Sequence, residues 1–134
     1  MFEETWALIV EDDAHSLVTL SSILRDLGIR VKRNTTGADV LEQVRNKNPR
    51  PQFILLNIDL TQGNAFNIQK RIRTDPTASG IPVVALASAD NYAVRNRVKR
   101  AGFAGMIVKP LPRRVFGEMV NRVLSGEQVW EAIH

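Results

Sequence analysis

A parallel α/β sandwich of five strands alternating with five helices is the fold class that the sequence predicts, and three observations predict it. Four short apolar runs, Ala7-Leu8-Ile9-Val10, Phe53-Ile54-Leu55-Leu56, Val83-Val84-Ala85-Leu86 and Met106-Ile107-Val108, are each bounded by polar or turn residues. Runs this short and continuous suit strands buried on both faces, as in a parallel sheet covered by helices. Between them lie segments with apolar residues at helical spacing, and strict alternation implies parallel strands joined by right-handed crossovers. The 134 residues are enough for one domain with a proper core, read here as residues 1–134 with a core over 6–124 and a tail over 125–134.

Each element has its own signal. After the first run, Leu17, Leu20, Leu24 and Leu27 recur at helical spacing, with Gly28 as a C-terminal stop. Ile29 to Arg33 alternates apolar and basic residues, as suits an edge strand whose outward charges discourage unwanted pairing. Val40, Leu41 and Val44 mark a second helix that ends before Pro49 and Pro51. Phe66, Ile68 and Ile72 mark a third, closed by Asp75-Pro76 because the residue before a proline is pushed out of the helical region. Val94, Val98 and Ala101 mark a fourth with Gly102 as its stop, and Val115, Met119, Val123 and Leu124 mark a fifth. The tail either extends that last helix or packs separately through Trp130 and Ile133.

Composition excludes several classes of function. The absence of cysteine removes disulfides, thiolate catalysis and cysteine-ligated zinc. No apolar stretch reaches membrane-spanning length, and Glu3 and Glu4 interrupt any signal peptide, so a soluble cytoplasmic protein with no membrane partner is expected. The formal charge of +4 raises a nucleic-acid reading. The basic residues are dispersed, however, without interleaved aromatics or a reader motif, so a solvated basic surface is expected and no specific nucleic-acid partner.

In an open parallel sheet the functional crevice forms outside the carboxyl ends of the strands. Glu11 and Asp12 follow the first run, Asn57 the third strand, Ala87 and Ser88 the fourth, and Lys109-Pro110 the fifth. Two carboxylates, an amide and a lysine are thus expected on one rim. A flavin or nucleotide enzyme on this architecture is disfavoured, because the Glu11-Asp12-Asp13 loop repels phosphate where such sites need hydroxyls or glycines. Asp13 is expected to cap or precede the first helix, His15 to be a surface residue, and the Asp59 carboxylate to miss the rim.

The segment Leu8-Ile9-Val10-Glu11-Asp12-Asp13 resembles the acidic opening motif of response-regulator receiver domains, the CheY-like family. Phe53 to Asn57 resembles that family's phosphoacceptor strand, and Ala101-Gly102 through Lys109-Pro110 its alanine-glycine and lysine-proline signature. The likeness runs from about Trp6 to Leu124. It implies a flavodoxin-like three-layer sandwich with strand order 2-1-3-4-5, and phosphoryl transfer from a histidine kinase to an aspartate beside acid-bound magnesium. A hydroxyl on strand four and the lysine contact the phosphate in that family, and an aromatic residue on strand five reports the change.

Matched residue by residue, the chain departs from this pattern. The acceptor position is Asn57, the hydroxyl position Ala87 with Ser88 one residue late, and the aromatic switch position Met106. Thr61 replaces the usual proline and Ala65 the second glycine, leaving Glu11, Asp12 and Lys109 as the matching polar residues. A carboxylate attacks phosphorus as an anion, whereas a neutral amide cannot form the acyl phosphate. Two carboxylates and one lysine sum to about −1, against about −2 with an aspartate, so Glu11 and Asp12 are expected to hold magnesium weakly if at all.

The expected function is a non-enzymatic receiver domain of a two-component phosphorelay, acting as a pseudo-receiver by protein–protein contact, with no cofactor required. Its partner would be a histidine kinase or an output protein. The expected docking face, which a second copy could also use, is formed by the fourth helix, fifth strand and fifth helix and carries Arg95, Arg97, Lys99, Arg100, Arg113 and Arg114. The alternative is a true phosphoacceptor domain silenced by one Asp-to-Asn change, or one using a neighbouring carboxylate. Ala87 and Met106 weigh against the first form, since one change does not account for three altered positions.

Overall fold

The computed structural model describes residues 5–110 and 113–130. Five strands alternate with five helices: β1 (Trp6–Val10), α1 (Ala14–Asp26), β2 (Arg30–Asn34), α2 (Val40–Arg45), β3 (Phe53–Asn57), α3 (Ala65–Thr74), β4 (Val83–Ala87), α4 (Tyr92–Arg100), β5 (Gly105–Val108) and α5 (Arg113–Leu124). All strand pairs are parallel, and the sheet order is β2-β1-β3-β4-β5. Both the alternation and the order agree with the sequence-based expectation.

The sheet divides the core in two, because successive strand side chains point to opposite faces. Trp6, Leu8 and Val10 of β1 face a cluster completed by Val40, Leu41 and Val44 of α2, Ala65 and Ile72 of α3, and Val98 of α4. Ala7 and Ile9 face the other way, toward Leu17, Leu20 and Leu24 of α1 and Phe116, Met119 and Val123 of α5. Burying one such aliphatic side chain stabilises the fold by roughly 1.5–3 kcal/mol, so the central strands and the helix faces that cover them together supply the driving force.

Local punctuation acts as the sequence suggests. Asp13 accepts from the Ser16 amide at 2.9 Å and caps α1. Gly102 takes φ +81° just beyond α4, a left-handed conformation that lets the chain turn into β5. Asp75 ends α3 in an extended conformation before Pro76, and its carboxylate accepts from the Thr77 amide and hydroxyl and pairs with Arg45 of α2. One boundary differs: β2 begins at Arg30, and Ile29 belongs to the turn, where it packs against α1. Val31 is only half-buried, so this edge strand contributes less to the core than its neighbours do.

The described part of the tail, residues 125–130, packs separately and does not extend α5. Val129 forms a parallel bridge with Gly105, donating to the Ala104 carbonyl at 3.0 Å and accepting from the Met106 amide at 2.9 Å. The open edge of β5 is thereby partly closed. The approach requires glycine at 105, because a Cβ there would collide with the Val129 backbone. Val129 is buried on the α1–α5 side, while Trp130 packs against the opposite cluster and its carbonyl accepts from Arg95. Ile133, the second expected tail contact, lies outside the described residues. No helix among the described residues is long and apolar enough to cross a membrane.

Two outcomes follow from these contacts. Hydrogen bonds from the Thr77 side chain lead the interactions that hold the Asp75 carboxyl below its ordinary 3.8, at about 2. A depressed carboxyl stabilises the fold above its unfolded value and loses that contribution as pH falls through the folded one. Urea unfolding from pH 5 down to about pH 2 is expected to show this loss, and Asp75→Asn to flatten it. Gly105→Ala is expected to release the tail, costing about 1–3 kcal/mol and moving Trp130 fluorescence to the red relative to a Trp130→Phe background.

Candidate functional site

The register that builds the sheet also assembles the rim. Val10 pairs with Leu56, so the following residues, Glu11 and Asn57, emerge side by side at the carboxyl ends of β1 and β3. Glu11 is fully buried and Asn57 is 3% exposed, so neither can leave a polar atom unpartnered at low cost. Lys109 leaves the end of β5, its amide bound to the Ala87 carbonyl at 2.8 Å, and its Nζ donates to Glu11 Oε1 at 2.6 Å. Lys109 therefore reaches the acid, and no hydrogen bond joins it to Asn57 among the described residues.

Asn57 is the hub of the polar contacts. Its Nδ2 donates to Glu11 Oε2 and, at 3.3 Å, to Asp12 Oδ1, while its Oδ1 accepts from the Asp59 amide at 2.8 Å. Only this orientation of the amide places hydrogens against the two carboxylates; the reverse would set oxygen against oxygen. An aspartate would put a third carboxylate into the same space, where like charges demand a proton or a metal. The amide supplies the positive hydrogen-bonding edge without either.

Thr61 completes the set. Its backbone amide donates to Asp12 Oδ2 at 2.8 Å and its hydroxyl donates to the same oxygen at 2.7 Å. The backbone bond from Thr61, then its hydroxyl bond, lead the causes that lower the Asp12 carboxyl below its usual value. A proline here would lack both donors. Sequence reasoning noted Thr61 only as a departure from the family pattern; the signal available was the exchange of a residue without an N–H for one with two donors.

With Lys109 on one Glu11 oxygen, Asn57 on the other, and Asn57 and Thr61 on those of Asp12, each carboxylate oxygen facing the pocket has a protein donor. Magnesium takes near-octahedral oxygen ligands. In this arrangement Asn57 turns its NH₂ group toward the acids and its carbonyl toward the Asp59 amide, so the donor set does not fit the ion. No group of three or more His, Cys, Asp or Glu among the described residues could hold a metal.

The remaining rim residues are apolar or otherwise engaged. Ala87 and Met106 are each 1% exposed and lie in the same cluster as Val98 and Phe103. Met106 is thus core filling on the α4 side of the sheet. Ser88 donates from its amide and its hydroxyl to Asp59 Oδ2, both at 3.0 Å. Asp59, expected to miss the rim, instead bridges the end of β3 to the end of β4. His15 is exposed in the first turn of α1.

The family model for the response regulator receiver domain matches residues 7–121. The chain belongs to the response regulator receiver-domain family. This receiver is 26% identical over 119 residues to Protein PilH of Pseudomonas aeruginosa, covering 89% of this chain and 97% of that protein. It is 25% identical to the polar-differentiation response regulator DivK of Brucella anthropi, covering 88% and 94%. Ethylene receptor 2 of rice is 29% identical over 120 residues, which cover 89% of the receiver but 16% of that receptor. Among solved structures, a putative response regulator from Chloroflexus aurantiacus superimposes with a TM-score of 0.83 at 23% identity, covering 90% and 98%. Chemotaxis response regulator CheY4 of Vibrio cholerae gives 0.81 at 21%, covering 89% and 98%. At these identities the solved structures establish the fold, the flavodoxin-like sandwich of the CheY-like proteins. The family match establishes a receiver domain of two-component signalling.

On the face formed by α4, β5 and α5 the cations divide. Arg97, Lys99, Arg100 and Arg114 are exposed. Arg97 lies over the Phe66 ring at 3.8 Å and Lys99 over the Trp130 ring at 5.2 Å. Arg95 is held by Asp90 and by the Trp130 carbonyl. Arg113 turns toward α1, pairing with Asp26 at 2.6 Å and reaching Ser22 at 3.3 Å, so its charge leaves the expected face.

Asn57→Asp is expected to lower stability at neutral pH by about 1–3 kcal/mol, because it replaces two donated hydrogens by a third charge. Urea unfolding of that variant should recover on adding magnesium, whereas the parent chain should show little response.

Proposed function

We propose that this receiver works without phosphorylation of residue 57, as a pseudo-receiver that signals by protein–protein contact on the cytoplasmic side of a two-component system. The observation that supports the reading most is the closed set of donors on Glu11 and Asp12. Phosphoryl transfer needs an anionic nucleophile and stabilisation of the charge developing on the transferred group. Here the nucleophile is an amide, and Lys109 is already bound to Glu11. Magnesium is not required, because hydrogen-bond donors balance the acids that would attract it.

The reading extends to the switch. A hydroxyl at 87 would have an ordered phosphate to follow, and an aromatic at 106 would have a rotation to make; alanine and methionine in one apolar cluster have neither. Apolar packing favours one conformation, since interiors resist repacking. A constitutive docking surface is the consequence. Its exposed cations Arg100 and Arg114 suit an acidic surface of a histidine kinase or an output protein. The tail is part of this surface, and by partly closing the β5 edge it opposes a dimer built by continuing the sheet there.

Treatment of the intact chain with acetyl phosphate and magnesium, followed by intact-mass measurement, is expected to give no phosphoryl adduct. An acid-labile adduct near stoichiometric amount would overturn the reading, and its location on Asp59 would move the acceptor to the neighbouring carboxylate. Asn57→Asp with Thr61 retained is expected to phosphorylate poorly, since Ala87 supplies no hydroxyl. Rapid labelling of that variant alone would favour a receiver silenced at one position.

A further inference from the structure

Along the outer edge of β2, on the other side of β1 from Asn57, the sheet carries a different chemistry. A groove of about 780 Å³ lies between β2 and the α2–β3 loop, lined by Arg25, Arg30, Lys32, Arg33 and Lys47, with Trp6 also in the wall. All five cations are exposed, and among the described residues no Asp or Glu lines the groove and none of the five belongs to an ion pair. Elsewhere on the molecule Arg45, Arg71, Arg95, Lys109, Arg113 and Arg122 each face a carboxylate. The groove therefore holds one concentration of the chain's unpaired positive charge, distinct from the exposed Arg97, Lys99, Arg100 and Arg114.

The backbone of β2 adds a second feature. The Arg30 amide donates to the Thr5 carbonyl and the Asn34 carbonyl accepts from the Glu11 amide, so the even-numbered residues of β2 point their amides and carbonyls at β1. The odd-numbered residues point outward. The Arg33 carbonyl confirms this by accepting from the Gln43 side-chain amide at 3.2 Å. The Val31 amide and carbonyl and the Arg33 amide have no hydrogen-bond partner among the described residues. An unpaired strand edge flanked by cations meets the two requirements of an extended acidic peptide, main-chain hydrogen bonding and charge complementarity.

We propose that the groove beside β2 binds an acidic, extended segment of a partner protein by strand addition to the outer edge of β2. A nucleic acid fits less well. The Trp6 ring is 6% exposed and its Nε1 is bound to the Pro49 carbonyl at 2.7 Å, so it offers no stacking face, and the outward amides of β2 match a peptide ladder. The groove runs along the outer edge of β2 and contains none of the rim residues Glu11, Asp12, Asn57 or Lys109, so its occupancy is tested separately from the acidic rim.

Fluorescence anisotropy with a labelled octaglutamate and the intact receiver tests the proposal. Three comparisons accompany it: octaglutamate N-methylated at alternate residues, an oligothymidylate of matching charge, and the variants Arg30→Glu/Lys32→Glu and Arg100→Glu/Arg114→Glu. Octaglutamate is expected to bind at low ionic strength and weaken on adding salt. The Arg30→Glu/Lys32→Glu variant should bind about tenfold more weakly or worse, and alternate N-methylation should cost about fivefold by removing ladder hydrogen bonds. The Arg100→Glu/Arg114→Glu variant should match the parent within about twofold. Absence of octaglutamate binding at low salt, insensitivity to N-methylation, equal losses in both double variants, or tighter binding of the oligothymidylate would each overturn the proposal. The last result would make the groove a polyanion surface for nucleic acid.

Discussion

A carboxylate with no solvent exposure, that of Glu11, sits at the point where β1, β3 and β5 end together, and the arrangement of the rim depends on how that charge is met. Removing a charge from water costs several kcal/mol even in real proteins, so its partners must be in place whenever the fold is. Lys109 supplies a cation from β5 and Asn57 supplies N–H groups from β3, which ties three strand ends together through side chains as well as through the ladder. The same requirement explains why an amide is tolerated at the tip of the middle strand. An acid there would need an outside cation, whereas asparagine brings its own donors and shares them with Asp12.

The departures from the family pattern are physically consistent with one another. Thr61 gives Asp12 two hydrogen bonds that a proline could not, so the loop after β3 closes over the acids. Ser88, displaced by one residue from the hydroxyl position, spends its hydroxyl on Asp59. Ala87 and Met106 surrender polarity and pack with Val98. Each changed side chain is either packed in the apolar cluster or hydrogen-bonded within the rim. Their combined effect is a rim whose internal contacts are already complete.

The two sheet edges are treated differently. At β5 the chain's own tail supplies a neighbour, and the absence of a side chain at Gly105 permits the backbone approach. At β2 exposed cations stand in place of a neighbour, and two residues keep outward backbone groups. Charge on an edge discourages pairing with another copy of the same positive strand. It does not discourage a strand of opposite charge.

The alternation of elements, the strand order of the recognised family and the location of Asn57 were all legible in the sequence, because short apolar runs and the residue following each are local features. The capping role of Asp13 was legible for the same reason. Four things were decided by tertiary structure. Thr61 reaches Asp12 across a sequence separation of 49 residues, and Asp59 reaches Ser88 across 29, contacts that exist only once neighbouring strand ends are aligned. Val129 lies between Gln128 and Trp130 with no alternation to mark it as a bridge, and only the open side of β5 makes it one. Arg113 turns to Asp26 on α1 because the packing of α5 against α1 brings that carboxylate within reach. Periodicity specifies which face of an element is buried; which polar group meets which depends on distances between segments far apart in the chain, and those are set when the sheet closes.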